Sequence, residues 1–354
     1  MQESELHKQI AARARLQHAA QYAGQSSEQA SESGAGSIEL GPGDDCAVVR
    51  YGGCQLLLTV DHLIEGRHFA GPWCAHTGSA GGTTADLVAR KAIARSVSDI
   101  AAMAGQPHWA LATAAFAPGT SQADADALCE ALFRWANTFG CPLVGGDIAS
   151  LASTKLHAHS SVLPLVLTVT IGGLAHPRRG PVLRSGAVPG DLVCITGRLG
   201  DSLASGRHLS FTPRVKEAAA LADALGPRLH AMMDISDGLG RDGARLARAS
   251  KVRLHIDAAS LPLHVPVDAN RRAAATWKDL ICDGEDYELL MTLDPTAEGE
   301  IKTLAAHLGC DLTIIGRVGK AATGKPDCAA VWNGEEIPLD DLGWEHAAGR
   351  GDPL

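Results

Sequence analysis

Residues 84–104 read TADLVARKAIARSVSDIAAMA. Ala89, Ile93, Val97, Ile100 and Ala104 recur at three- and four-residue spacing, which predicts a helix over Thr84–Ala104. Asp99 falls inside that helix, so it is not a turn residue, and a buried carboxylate there needs a partner. Outward from the helix the pattern alternates. Short β-like runs at Ala47–Arg50 and Gln55–Val60 precede it, and Trp109–Ala115 follows. A second helical pattern, Ser121–Phe139, leads into Pro142–Val144 and Leu163–Gly172. Strands alternating with helices of this length predict an α/β layer.

His176 to Asp191 (HPRRGPVLRSGAVPGD) is rich in Pro, Gly and Arg and reads as a crossing between domains. Beyond it, runs at Leu192–Thr196, Ala231–Ile235, Leu254–Ile256, Glu288–Leu293 and Leu312–Ile315 alternate with helical patterns near Arg214–Ala224, Gly238–Ser250 and Thr296–His307. A chain of 354 residues exceeds what one core usually supports, which predicts two domains of roughly 150–200 residues. The expected division is an amphipathic helix over 3–22 with a polar Gly/Ser-rich connector over 24–37, an α/β domain over 38–178, and a mixed α/β domain over 179–354.

Composition limits the function. Apolar residues make up 45% and charged residues 20%, which excludes wholesale disorder. The net charge of −9, with no basic tract, argues against a nucleic-acid or membrane-surface binder. No signal-peptide layout or bilayer-length apolar run is present, so a cytoplasmic protein is expected. The nine cysteines are scattered, without a C-x-x-C pair, and are expected to be buried free thiols.

Acidic residues gather where apolar runs meet turns. Asp44 and Asp45 precede a strand, Asp61 and Asp147 are expected to end strands, Asp234 and Asp237 sit at a strand-to-helix turn, and Asp283, Glu285 and Asp286 are expected to open a strand. Any one of these is an ordinary turn or cap. Together with Asp99 they suggest hard divalent cations, because Mg²⁺ takes oxygen ligands from a few carboxylates plus substrate phosphates. An acidic protein can hold polyphosphate when metal ions supply the positive charge. Gly145 and Gly146 before Asp147 imply a close backbone approach. Walker A, dinucleotide and protein-kinase signatures are absent.

In order and spacing, these motifs resemble thiamine-monophosphate kinase, in the superfamily of aminoimidazole ribonucleotide synthetase and selenophosphate synthetase. The matching stretches are Gly43-Asp-Asp-Cys-Ala-Val, Thr59-Val-Asp-His-Leu-Ile-Glu-Gly-Arg-His68-Phe, Ser98-Asp-Ile-Ala-Ala-Met, Gly145-Gly-Asp, Leu183-Arg-Ser-Gly-Ala, Asp234-Ile-Ser-Asp-Gly-Leu, Gly284-Glu-Asp-Tyr-Glu-Leu and Gly343-Trp-Glu-His. The resemblance implies transfer of the γ-phosphoryl group of ATP to thiamine monophosphate. It also implies a homodimer whose N-terminal domains pair strands across the two-fold axis. By motif position, it implies Mg²⁺ ligands at Asp45, Asp61, Asp99, Asp147 and Asp234, with Asp237 holding a further ion. ATP contacts are implied at Gly146, Asp147, Arg184 and Ser236, and thiamine-phosphate contacts at His68, Glu285 and Trp344. Several Mg²⁺ ions are the implied cofactors, K⁺ is an additional candidate, and no general base is required.

Plain structural readings stand beside these roles: a packing Trp344, a satisfied core His68, a solvated linker Arg184. The chain also departs from the family pattern. Val60 stands where a hydroxyl is usual, Ile148 and Ala149 replace two hydroxyls, and Asp283 replaces a glycine. Residues 151–161, with His157 and His159, read as a lengthened solvated loop. These departures keep two alternatives open: another ATP-dependent kinase or synthetase of the superfamily, and a non-catalytic paralogue that binds nucleotide or thiamine phosphate.

Overall fold

A computed structural model describes residues 9, 10, 12, 13, 36–73, 83–150, 164–266 and 268–344. The expected helix over 3–22 and connector over 24–37 fall mostly outside the described residues, and the 151–161 segment wholly so.

Two sheets organise the chain. The first has the order β1-β2-β3-β6-β4-β5. Its strands are β1 (Ser37–Leu40), β2 (Ala47–Tyr51), β3 (Cys54–Ile64), β4 (Gln106–Phe116), β5 (Leu143–Ser150) and β6 (Val166–Leu174). Only β4 and β5 pair in parallel. Helices α1 (Ala85–Ala102) and α2 (Gln122–Thr138) cover one face of this sheet, around Leu57, Leu63, Phe69, Ile93 and Val97. The other face is open: Val60 is 62% exposed, in one cross-strand row with Thr170 and Leu111.

The second sheet has the order β13-β12-β9-β11-β7-β10-β8. Its strands are β7 (Leu192–Thr196), β8 (Leu229–Asp234), β9 (Val252–Asp257), β10 (Leu289–Leu293), β11 (Leu312–Lys320), β12 (Cys328–Trp332) and β13 (Glu335–Pro338). Helix α3 (Val215–Leu225) and helix α5 (Ile301–Leu308) pack on one face, and α4 (Leu239–Ser250) on the other. With both faces covered, β7, β8 and β10 read as almost continuous apolar runs.

Helix α1 joins the two halves. Thr84 caps it by accepting the Leu87 N–H at 3.3 Å. Its small alanines permit close packing on β3 and β6, and on α3 and β8 of the second half. Lys91, Ser96 and Ser98 are consequently buried on a helix with little solvent contact, and each requires a polar partner.

Some expectations need correction. β3 continues to Ile64 and β5 to Ser150, so Asp61 and Asp147 lie within strands rather than at their ends. Residues 283–288 do not open a strand, because β10 begins at Leu289. Gly284, Glu285 and Tyr287 there have positive φ, and the turn is fastened by Glu285 N–H to Ser236 O (2.7 Å) and Tyr287 N–H to Ile235 O (2.8 Å). Of the eight described cysteines, all free, five are buried, Cys129 and Cys282 are half-buried, and Cys54 is exposed at the tip of the β2–β3 hairpin.

Candidate active site

Three strand and helix ends converge where the halves meet. Asp45 precedes β2, Asp99 lies on the last turns of α1, and Asp234 ends β8. One carboxylate oxygen from each lies within 4.8 Å of the others. Hydroxyls hold the trio in place: Ser98 Oγ donates to Asp234 Oδ2 at 2.6 Å, and Thr59 Oγ1 donates to Asp99 Oδ2. Burial first, then the charges of Asp61, Asp234 and Asp45, pushes the Asp99 carboxyl well above its ordinary range. Burial and the charge of Asp45 do the same at Asp234. The set is made of oxygen donors only, and two of its three carboxylates, Asp99 and Asp234, are held by hydroxyls, which fits a hard divalent cation such as Mg²⁺.

Arginines balance the surrounding carboxylates. Arg184 clasps Asp45 through Nη2 to Oδ1 (2.6 Å) and Nε to Oδ2 (3.1 Å), and its backbone N–H reaches Asp44 Oδ2 at 3.1 Å. It is therefore not a solvated linker base. Burial and the neighbouring Asp45 push the Asp44 carboxyl up to about 7. Asp61 adjoins the trio, accepts from Ser96 Oγ at 3.1 Å and lies 3.6 Å from Arg95. Asp237 pairs with Arg245 at 2.5 Å, and Arg245 also binds Asp242 at 2.7 Å.

Asp242 was not singled out from the sequence. It is fully buried and accepts the N–H groups of Ser236 (3.0 Å) and Asp237 (2.8 Å), so it shapes the turn that presents both. The signal was there: an acidic residue in the first turn of α4, suited to free amides at a helix start.

Asp147 and Gly146 are not brought to the trio. Asp147 is exposed on the edge strand β5, in the cross-strand row of Thr113, Thr168 and His62. Asp61 lies in the next row, so the two side chains point to opposite faces of the sheet. The close approach anticipated at Gly146 is real but is made by its own chain: a Cβ there would lie 1.9 Å from Ala112 O. Val60 also turns to the open face. The hydroxyl serving Asp99 comes from Thr59, so the substitution at position 60 removes nothing from the trio.

Beside the trio is a small, partly open pocket lined by Arg67, His68, Arg95, Ser236, Glu285 and Trp344 among others. His68 is buried, and its Nδ1 accepts the Ile64 N–H at 2.9 Å, which leaves the proton of a neutral ring on Nε2. His68 is thus held structurally through Nδ1, and its ring also lines the pocket. Trp344 is held by its backbone N–H, which donates to Asp237 O at 2.8 Å, and the Arg67 guanidinium lies 5.2 Å from its ring centroid. Asp283, the departure from glycine, accepts the Asp201 N–H at 2.7 Å and so fixes a loop.

Lys91 is the second residue the sequence reading passed over. Its side chain is fully buried and its Nζ donates to both His68 O and Glu285 Oε2. Burial lowers its pKa to about 8 despite the Glu285 carboxylate. Lys91, Arg95 and Asp99 recur at four-residue steps, and so share one stripe of α1. That stripe runs from the pocket to the trio over about 12 Å of helix rise.

Comparison with known proteins agrees with this layout. Residues 43–175 match the AIR synthase related protein N-terminal domain, and residues 189–328 match the AIR synthase related protein C-terminal domain. The thiamine-monophosphate kinase of Escherichia coli K12 is 31% identical over 332 residues, covering 88% of this chain and 93% of that protein. The chain belongs to the thiamine-monophosphate kinase family. A second family member, from Mycobacterium tuberculosis H37Rv, is 34% identical over 275 residues, covering 72% of this chain and 74% of its own. The solved structure described as AaThiL complexed with AMPPCP and TMP superposes with a TM-score of 0.68 at 28% identity, covering 86% of this chain and 91% of that one. Among the described residues, no helix is long and apolar enough to cross a membrane.

Proposed function

We propose that the protein transfers the γ-phosphoryl group of ATP to thiamine monophosphate, giving thiamine diphosphate and ADP. The observation that carries this reading is the shared stripe of α1, which ties an oxygen-only carboxylate trio to a pocket containing Glu285 and Trp344. Family membership and the nucleotide-analogue complex of a relative support it.

Asp45, Asp99 and Asp234 would hold Mg²⁺, with Asp61 and Asp237 as adjoining ligands. When bound, Mg²⁺ supplies the positive charge that offsets repulsion between the two phosphate-bearing substrates. The chain does the positioning. Arg184 and Ser236 are the proposed ATP contacts beside the trio. Glu285 is suited to a cationic thiazolium or an aminopyrimidine, Trp344 to stacking on a flat cationic ring, and His68 to lining the same acceptor pocket. A phosphate oxygen is already ionised at neutral pH, so in-line attack on the γ-phosphorus requires orientation rather than a base. Gly146 and Asp147 stand apart from the trio, and an Asp147→Asn variant separates a role in turnover from a role at the sheet edge. The open face of the first sheet, with Val60 exposed, supports a homodimer through that sheet, which light scattering of the purified protein tests.

The deciding assay incubates the protein with ATP, Mg²⁺ and thiamine monophosphate, with K⁺ varied, and follows thiamine diphosphate. Product formed only with divalent metal supports the reading. ADP release with a different acceptor and none with thiamine monophosphate would replace it with another small-molecule kinase.

A further inference from the structure

Arg95 lines the pocket, yet its donors are mostly uncommitted. Nη1 donates to His62 O at 2.9 Å, and Nη2 stands 3.6 Å from Asp61 Oδ1, beyond hydrogen-bond distance. Nε is buried without a partner. A buried donor left unsatisfied is costly, and an arginine with free N–H groups in a pocket suits an anion that accepts from a planar fork. Its place on α1 is also specific. It lies one turn from Lys91, which anchors Glu285, and one turn from Asp99 of the trio, about 6 Å along the axis in each direction.

We infer that Arg95 is the specificity residue that reads the phosphate of the acceptor, distinguishing a phosphorylated thiazolium compound from the same compound without phosphate. The inference rests on the pocket being the acceptor site. With the flat ring system against Glu285 and Trp344, the phosphate it carries must point towards the trio to meet ATP, and Arg95 stands on that line. The loose pair with Asp61 is then exchanged: the guanidinium turns to the phosphate and Asp61 is left to metal. Because the contact is a fork, lysine cannot replace it fully.

Calorimetry on the full chain without nucleotide tests this, with thiamine monophosphate and thiamine as the two probes. The wild type is expected to bind the monophosphate at least about tenfold more tightly than thiamine. Arg95→Met should weaken monophosphate binding by about 10–100-fold and leave thiamine binding unchanged, with Arg95→Lys between them. The lysine variant preserves the buried charge and keeps the test valid where the methionine variant does not fold. If either folded variant retains the wild-type ratio of the two affinities, Arg95 is not the phosphate reader, although the pocket remains the acceptor site. A wild type that binds both probes equally overturns the inference in the same way. A wild type that binds neither overturns both the inference and the acceptor reading beneath it.

Discussion

Arg184 holds Asp45 by two parallel N–H···O contacts of 2.6 and 3.1 Å, across the boundary between the two halves of the chain. The guanidinium offers the carboxylate the charge that a divalent ion would offer it, and Arg245 on Asp237 repeats the arrangement. Paired this way, Asp45 and Asp237 each keep a counter-charge supplied by the chain itself. A cluster of unpaired buried carboxylates would otherwise oppose its own assembly.

Arg184→Met should therefore lower stability by about 3 kcal/mol, since removing one partner of a buried pair strands the other charge. Mg²⁺ should restore much of the loss by taking over Asp45. Thermal melts of the variant with and without Mg²⁺ check this. Equal melting temperatures in both conditions would remove Asp45 from the ligand set.

Asp99→Asn should act in the opposite sense on stability. Burial and three neighbouring carboxylates raise the Asp99 pKa, so the ionised form destabilises the fold at neutral pH. The amide keeps the shape, can still accept from Thr59 and removes the repulsion. Urea denaturation should show a gain of about 1 kcal/mol, while turnover falls by at least about 100-fold through loss of a metal ligand. Unchanged turnover would show that the trio does not carry the chemistry.

Lys91 links pH to acceptor binding. Below about pH 8 its ammonium pairs with Glu285; above that value the proton leaves. The folded-state pKa lies below the ordinary 10.5, so between those values the unfolded chain binds more protons. This group's contribution to stability consequently rises with pH across that window. Acceptor affinity should do the reverse, because Glu285 loses its clamp. A KM profile for thiamine monophosphate from pH 7 to 9.5 should rise on the alkaline side, with the KM for ATP flat. In Lys91→Met the acceptor KM should be raised about tenfold at all pH values and the alkaline rise should vanish.

Much of this site could be read from residue order. Asp99 inside an apolar helix had to be partnered, and the partners lie where strand ends meet it. Periodicity also located α1, α2 and α4 within one or two residues, because each is strongly patterned. The buried supports were harder to find. Lys91, Arg95 and Asp242 look like ordinary charges on helices, and only the fold shows that Lys91 is covered and meets His68 O and Glu285. The place of Asp147 apart from the trio was hidden for a related reason. A glycine pair before an acid signals close approach in any context, but only the strand register shows that the neighbour is β4 and that the acid turns outward.

Gly238 gives a last prediction about how the two ligand-facing turns are joined. It precedes α4 with φ of +106°, and a Cβ there would lie 2.6 Å from Ile281 O and 3.5 Å from Gly343 Cα. It packs Ser236 and Asp237 against the segment carrying Trp344, which hangs from Asp237 O by its N–H. Gly238→Ala should strain the backbone and separate these segments, costing about 2–4 kcal/mol. Trp344 would shift more than the trio, which is fixed from α1 and β8, so the acceptor KM should rise several-fold more than the KM for ATP. Gly299→Ala is the matched control, with open space at its Cβ and no positive φ, and should leave both constants unchanged. Equal rises in the two KM values for Gly238→Ala would mean that the turn serves the whole site and not the acceptor side.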